Sequence, residues 1–234
     1  MITAFVPCRA GSERALSKNT RDFANVKGGL FRIKVDQLLA CGLIDRIVVS
    51  TNDPEVGSVY EEYYSSIEKV VVVLRPEELC SSTASTDDLI KYVKEIIPEG
   101  VVLWTHVTSP FMTGHHYTAL LEQYREDLQG SQHDSLMTVT ELRKFIWNGR
   151  GPINYDRSIE KWPRTQTLEP LFEVNSAAFV IDSKLMANLN DRIGRHPRLY
   201  SLDRRASMDV DSLGDFRLAE EVWIEAARQI ERGV

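Results

Sequence analysis

The chain has 234 residues, 43% hydrophobic and 26% charged, a balance that suits a globular protein with a substantial core in one domain and excludes a disordered or fibrous one. A formal net charge of −6 argues against a general nucleic-acid or membrane-surface binder but leaves room for a local basic pocket that takes a small ligand. No apolar run approaches the ~18 residues of a membrane span, and MITAFVP is too short for a signal peptide and lacks its basic start, so the expectation is a cytoplasmic protein without membrane or nucleic-acid partners.

Hydrophobic periodicity then alternates in chain order. Ile2–Pro7 reads as a buried strand, and Leu30–Ala40, with Leu30, Ile33, Leu38 and Leu39 among charges, reads as a helix. Arg46–Ser50 is a strand, Pro54–Tyr64 a helix opened by proline, and Val70–Leu74 a strand. Ser85–Ile97 is a helix with Ser85 as N-cap, and Val101–Thr105 is the next strand. Thr113–Leu128 follows as a helix capped at Thr113, and Ser135–Thr140 as a strand. Near-continuous apolar strands alternating with helices imply a three-layer α/β fold with a mostly parallel sheet covered on both faces.

From 142 to 172 the rhythm breaks. Trp147, Gly149, Gly151, Pro152, Trp162, Pro163 and Pro170 suit an excursion of short strands and turns. A floppy surface loop is one reading. A functional or interfacial insertion is favoured, because Phe145 and two tryptophans need an apolar surface to pack on, which a second subunit would supply. Val174–Ile181 then returns as a strand and Asp215–Ile230 closes the chain as an amphipathic helix. Cys8, Cys41 and Cys80 are odd in number and lack metal-ligand spacing, so reduced thiols are expected. His115, His116, His133 and His196 fall on helix or loop surfaces and read as solvated.

The segment PCRAGSERALSKN, residues 7–19, follows the first strand. In an open α/β sheet this is the commonest place for a phosphate, because backbone N–H groups converge there. Ala10, Gly11 and Ser12 can supply such donors, and Arg9, Arg14 and Lys18 supply positive charge. The loop is neither GxGxxG nor GxxxxGK[ST]. Taken alone, it fits a polar turn with solvated charges equally well.

FVPCRAGSERALSKN resembles the nucleotide-binding signature R-x-G-S-x-x-(I/L)-x-x-K-N of the acylneuraminate cytidylyltransferases, the CMP-sialic acid synthetase family. LRPEELCSSTASTDDLI (74–90), HVTSPF (106–111), WPRTQTLEPLFEVNSAAFVI (162–181) and MDVDSLGDFRLAE (208–220) are similar to further family segments, in the right order and across the whole chain. The resemblance implies a single cytidylyltransferase domain over 1–234. Its fold would be a Rossmann-like nucleotidyltransferase fold, with 142–172 as an inserted dimerisation and acceptor-binding excursion and a homodimer as the assembly. The substrates would be CTP and a sialic-acid-like sugar acid, with Mg²⁺ as cofactor and Mn²⁺ as a substitute.

Residue roles follow from the same resemblance. Arg9, Ala10, Gly11, Ser12, Lys18 and Asn19 would hold the phosphates, and Arg75, Ala84, Ser85 and Thr86 would border the cytosine and ribose. Ser85 also reads as a helix cap. His106, Thr108, Ser109, Arg164, Gln166, Phe172 and Asn175 would meet the acceptor, with Arg164 reaching its carboxylate, across a dimer in one reading; Lys144 is a looser candidate for the phosphates. Asp209 and Asp211, two apart, suit a hard divalent cation, whereas Asp215 fits a cap for the last helix, for which Asp211 or Ser212 also stands as a candidate. Arg9, Lys18 and Asp211 would be catalytic. Three departures bear on the acceptor: His106 stands where glutamine is usual, Ser82 where aspartate is frequent, and Ser176 where glycine is usual. A cytidylyltransferase for a 3-deoxy-octulosonate, phosphonate or polyol, and a non-catalytic nucleotide-binding relative, are the alternatives.

Overall fold

A computed structural model describes residues 1–11, 17–81 and 83–231. Ser12, Arg14 and Ser82 lie outside the described residues. The elements β1 (Ile2–Pro7), α1 (Gly29–Leu39), β2 (Arg46–Thr51), α2 (Pro54–Tyr63), β3 (Val70–Leu74), α3 (Thr86–Ile96), β4 (Val101–Thr105), α4 (Gly114–Gln129) and β5 (Ser135–Leu142) follow the expected order. Helix starts obey local chemistry. Asp53 accepts the Glu55 N–H ahead of Pro54, and Ser85 accepts the Asp88 N–H at 3.1 Å. Thr113 and His116 form a reciprocal capping box, so His116 serves a helix start rather than standing solvated.

The second half holds the excursion hairpin of β6 (Trp147–Asn148) and β7 (Gly151–Pro152), then β8 (Leu171–Asp182), α5 (Ser183–Leu189), β9 (Pro197–Ser201) and α6 (Leu213–Glu231). Neither α5 nor β9 is predicted from the sequence: α5 is only seven residues long, and β9 (PRLYS) lacks the continuous apolar run that marks the central strands. The seven-stranded sheet runs β3-β2-β1-β4-β8-β5-β9, and β8 is antiparallel to both β4 and β5 while the other pairs are parallel. Alternate residues face opposite layers. Ala4, Val6, Ile47, Val49 and Leu103 pack with Leu30, Leu38, Leu120 and Phe216, whereas Phe5, Val48, Trp104 and Phe179 pack with Ile90 and Val93 of α3 and Met186 of α5. Among the described residues no helix is long and apolar enough to cross a membrane.

At the end of β4 the β5–β8 register breaks: Met137 pairs Phe179, but Val139 pairs Val174, so β8 bulges over 175–178. Ser176 sits there at φ 57°, a left-handed conformation that glycine adopts without strain, which accounts for the glycine in the resembling sequences. The edge strand β9 is tied to α4 by a two-pronged ion pair: Arg198 Nε and Nη2 donate to the two Asp127 oxygens at 2.5 Å each.

Because Leu142 pairs Leu171, the excursion between the two arms runs from 143 to 170, shorter at both ends than the sequence reading. Its aromatic residues pack first on one another. Phe145 meets Tyr155 at 5.2 Å and Trp162 at 5.4 Å, and buried Asn154 donates to the carbonyls of Lys144 and Glu169. Trp162 is nonetheless 67% exposed and Ile159 86%.

Candidate active site

Beyond the carboxyl ends of β1, β2 and β4 the chain turns into loops that meet one another, as ligand-binding loops of open α/β sheets do. Gly11 follows β1 at φ 79°, a turn glycine takes without strain. Lys18 leaves that loop and is buried to 8% exposure. Its ammonium donates to the Val210 carbonyl at 2.7 Å and lies 3.9 Å from Asp211 Oδ1. Val210 N–H in turn donates to the Thr108 carbonyl at 2.8 Å, so one residue joins the β1 loop, the β4 loop and the segment before α6.

Asp209 and Asp211 flank Val210. Burial, aided by the Asp211 charge and opposed by the Thr108 hydroxyl, lifts the Asp209 carboxyl above the ordinary aspartate range. A hard divalent cation would relieve that crowding, and two carboxylates are the usual protein share of a Mg²⁺ shell that phosphate oxygens complete, so the residues fit such an ion. Among the described residues no group of three or more His, Cys, Asp or Glu side chains could hold a metal. Asp215 takes the other expected part: its Oδ2 accepts Ser212 N–H at 2.7 Å while Ser212 Oγ accepts Asp215 N–H, which closes a capping box at the start of α6 and makes Ser212 the cap.

Two clefts of about 160 Å³ each share a wall of Arg9, Lys18 and Asn19. One is completed by Cys8, His106 and Thr108, the other by Gly11, Ser17, Asp53 and Glu55. Of the expected backbone donors, Ala10 N–H is already held by Asn52 Oδ1 at 2.9 Å, and the Arg9 guanidinium lies 3.4 Å from the carbonyls of Ala10 and Gly11. Asn19 donates to the Arg9 carbonyl at 3.3 Å and accepts Phe31 N–H, which fixes the loop onto α1. Burial pushes the Cys8 thiol up to about 12, so it is a poor nucleophile at neutral pH.

Arg75, after β3, bends under the β2 end and donates to Ser50 Oγ at 3.2 Å and Ser50 O at 3.0 Å, and burial lowers its pKa. Ala84, Ser85 and Thr86 stand where the β3–α3 connection enters its helix, with the Ser85 hydroxyl engaged as the cap. His106 accepts the Trp104 indole N–H on Nε2 at 3.2 Å. An indole only donates, so the imidazole carries its proton on Nδ1. Burial, with Arg192 the next cause, lowers its pKa to about 3 and keeps the ring neutral.

Ser109 lies behind the cleft, buried, with its carbonyl accepting from Lys34 Nζ at 2.9 Å. Lys34 is fully buried, donates also to Tyr117 Oη at 2.6 Å, and is held well below the ordinary lysine pKa by burial. Asn175 bridges the β8 bulge, donating to Thr140 Oγ1 and accepting Ala177 N–H. Arg164 and Gln166 are exposed on the excursion, and Phe172 is exposed on the first arm of β8, where it pairs with Glu141 of β5; none of the three lines either cleft. Lys144 lines a separate cavity of about 610 Å³ with Arg143, Glu173 and Arg204. Sequence reasoning missed Ser50, Asn52 and Lys34. A lysine on the apolar stripe of GLFRIKVDQLL, and polar residues ending β2, are the signals that could have found them.

A family model described as cytidylyltransferase matches residues 3–150. The chain is 25% identical over 236 residues to the N-acylneuraminate cytidylyltransferase of Escherichia coli O18:K1:H7, covering 97% of this chain but 53% of that one, so it spans about half that relative's length. It is 24% identical over 224 residues to the pseudaminic acid cytidylyltransferase of Campylobacter jejuni, covering 93% and 94% of the two chains. The fold is similar to a CMP:2-keto-3-deoxy-manno-octonic acid synthetase solved in complex with CTP, with TM-score 0.65, 14% identity and coverage of 96% and 99%. It is equally similar, at TM-score 0.65 and 14% identity with 95% of each chain covered, to a 4-diphosphocytidyl-2C-methyl-D-erythritol synthase of Anaerococcus prevotii. The match over most of the chain, on a fold that gathers the glycine loop, the cations and the paired carboxylates at one end of the sheet, establishes that this chain belongs to the cytidylyltransferase family.

Proposed function

We propose that the chain transfers CMP from CTP to the anomeric hydroxyl of a nonulosonic, sialic-acid-like sugar acid and releases pyrophosphate. The observation that carries this reading is the contact of Lys18, from the glycine loop, with Val210 and Asp211, since it sets a phosphate-binding loop against a carboxylate pair. The triphosphate lies along residues 9–19. The acceptor hydroxyl attacks the α-phosphorus, a new P–O bond forms, and the bond to the β-phosphate oxygen breaks as pyrophosphate leaves. Arg9 and Lys18 stabilise charge on the non-bridging and leaving oxygens, the electrostatic work that dominates such transfers. Asp211 orients the hydroxyl and takes its proton. Asp209 and Asp211 would hold a Mg²⁺ ion, which supplies Lewis-acid charge to phosphate oxygens when bound. His106 meets the acceptor from the β4 side through its Nδ1–H. The 143–170 excursion seats a second copy of the chain, a reading supported by its exposed Trp162 and Ile159.

The test is a coupled pyrophosphate-release screen. CTP is expected to turn over well above ATP, GTP and UTP, and N-acetylneuraminic, legionaminic, pseudaminic or keto-deoxynonulosonic acid is expected to serve as acceptor. Comparable rates with ATP or GTP, or turnover only with a 3-deoxy-octulosonate or polyol, would overturn the assignment.

A further inference from the structure

Lys34 stands on the buried stripe of α1, GLFRIKVDQLL, with no exposed surface. Burial alone holds its pKa down, and among the described residues no carboxylate pairs with it. A lysine at such a place is costlier than an apolar residue unless its hydrogen bonds are needed. Those bonds have a fixed direction. Thr105 Oγ1 donates its one proton to the Ala177 carbonyl at 2.7 Å, so at its 2.8 Å contact with Tyr117 Oη it accepts. Tyr117 has then spent its own proton, and Lys34 donates to Tyr117 Oη at 2.6 Å and to the Ser109 carbonyl at 2.9 Å. An uncharged amine has enough N–H groups for both.

A second side chain of α1 grips the same loop. One turn on from Lys34, Gln37 donates its amide N–H to the Pro110 carbonyl, so two consecutive carbonyls after β4 are held by residues that share one helix face. The helix is tied to the opposite wall as well: Phe31 N–H donates to the carbonyl of Asn19, which lines both clefts. Next to Ser109 stands Thr108, a lining residue whose carbonyl accepts the N–H of Val210 between the two aspartates, while the Val210 carbonyl accepts Lys18. The spacing between the β1 loop and the β4 loop, and with it the place of Val210, is therefore set from α1.

We propose that Lys34 and Gln37 are positioning residues, a clamp on the Ser109–Pro110 peptide that fixes Thr108 and the Asp209–Asp211 segment relative to Lys18 for the transfer step. The inference rests on the reading of the site as a sugar-acid cytidylyltransferase and deepens it by naming residues that act on turnover without touching a substrate. A misplacement of about 1 Å at a reacting centre can cost ~100-fold in rate, which gives such a clamp its leverage. Ser109, behind the cleft, serves as the anchor of the loop.

The experiment compares the full chain as wild type, Lys34→Met, Lys34→Gln and Gln37→Met. Methionine keeps an apolar stem and removes the donors, and glutamine at position 34 returns N–H donors without a charge. The readouts are kcat for pyrophosphate release at saturating CTP with the acids of the substrate screen, CTP affinity by titration calorimetry, and hydrogen exchange of the Ser109 and Met112 amides, which donate within the β4 loop. In Lys34→Met, kcat is expected to fall by about 10- to 100-fold, with unchanged CTP affinity and faster exchange confined to the loop amides. Lys34→Gln should recover part of the loss, and Gln37→Met should show a smaller fall. Unchanged kcat in both methionine variants, CTP affinity lost in step with kcat, or a Lys34→Gln variant no better than Lys34→Met would overturn the proposal. Faster exchange across the whole sheet with kcat unaltered would also overturn it, by making Lys34 a stability residue only. If Lys34→Met fails to fold, Gln37→Met decides by the same readouts, because that side chain is only partly buried. A wild type that releases no pyrophosphate with any acid would break the proposed reaction; the clamp would then stand or fall on the loop amides.

Discussion

At the carboxyl end of the sheet, the basic side chains of Lys18, Lys34 and Arg75 are buried against main-chain carbonyls of Val210, Ser109 and Ser50 from the same chain. In the 143–170 excursion the apolar residues Trp162 and Ile159 stay largely exposed, although Phe145, Tyr155 and Asn154 organise the segment from within. One region therefore holds its basic side chains on its own main chain before ligand arrives. The other is internally ordered but leaves apolar area for something outside the described chain. The contrast separates chemistry from assembly: disturbing the first should change turnover, and disturbing the second should change association.

The largest effect is expected at Lys18. Lys18→Ala removes the ammonium between the glycine loop and Asp211 and should lower kcat by at least ~100-fold, as when a charge-stabilising donor is lost, while circular dichroism and the unfolding midpoint stay close to wild type. Near-normal turnover at saturating CTP would reduce the loop to a structural role. Next come two aspartates of one segment. Asp211→Asn should cut kcat strongly with CTP affinity changed only modestly, and activity should vanish with a chelator and return with Mg²⁺ or Mn²⁺. Asp215→Asn should cost only about 1 kcal/mol of stability, the range of a weakened helix cap, read from urea unfolding. Equal turnover in the two variants would break the proposed division of labour.

The excursion is tested by Trp162→Glu. Light scattering should find a dimer at micromolar concentration in the wild type and a monomer in the variant, with the urea midpoint of the sheet domain little altered. A monomeric wild type would overturn the assembly.

The smallest expected effect sharpens the account of the buried end of the sheet. Lys34 has its folded pKa depressed, so between that value and the unfolded value of about 10.4 the unfolded chain binds a proton that the folded chain does not. Stability should then rise with pH across that window, by up to about 1.4 kcal/mol per pH unit for one proton. Urea unfolding at about pH 8 and about pH 9.5 should show this rise in the wild type and a flatter dependence in Lys34→Met. An equal slope in both would mean that Lys34 stays charged in the folded chain.

Much of the first 140 residues was legible in order, because β1 to β5 and α1 to α4 repeat long apolar runs with turn and cap signals between them: Pro54, Ser85 and Thr113 mark helix starts by chemistry local to a few residues. The glycine loop, Lys18 and the Asp209–Asp211 pair were legible through motif resemblance, since charges and glycines crowd there without a local structural need. The antiparallel course of β8, its bulge at Ser176, the edge strand β9 and short α5 were not, because strand direction and partner are set by contacts between residues far apart in sequence. The same holds for the polar groups. That Asn52 holds Ala10, that Lys34 supports Ser109 and that Arg192 lies on Phe179 depend on which loops the sheet order brings side by side. Local sequence determined the elements and the chemical inventory of this protein; tertiary structure decided which members of that inventory meet, because burial and partner choice are properties of the packed chain.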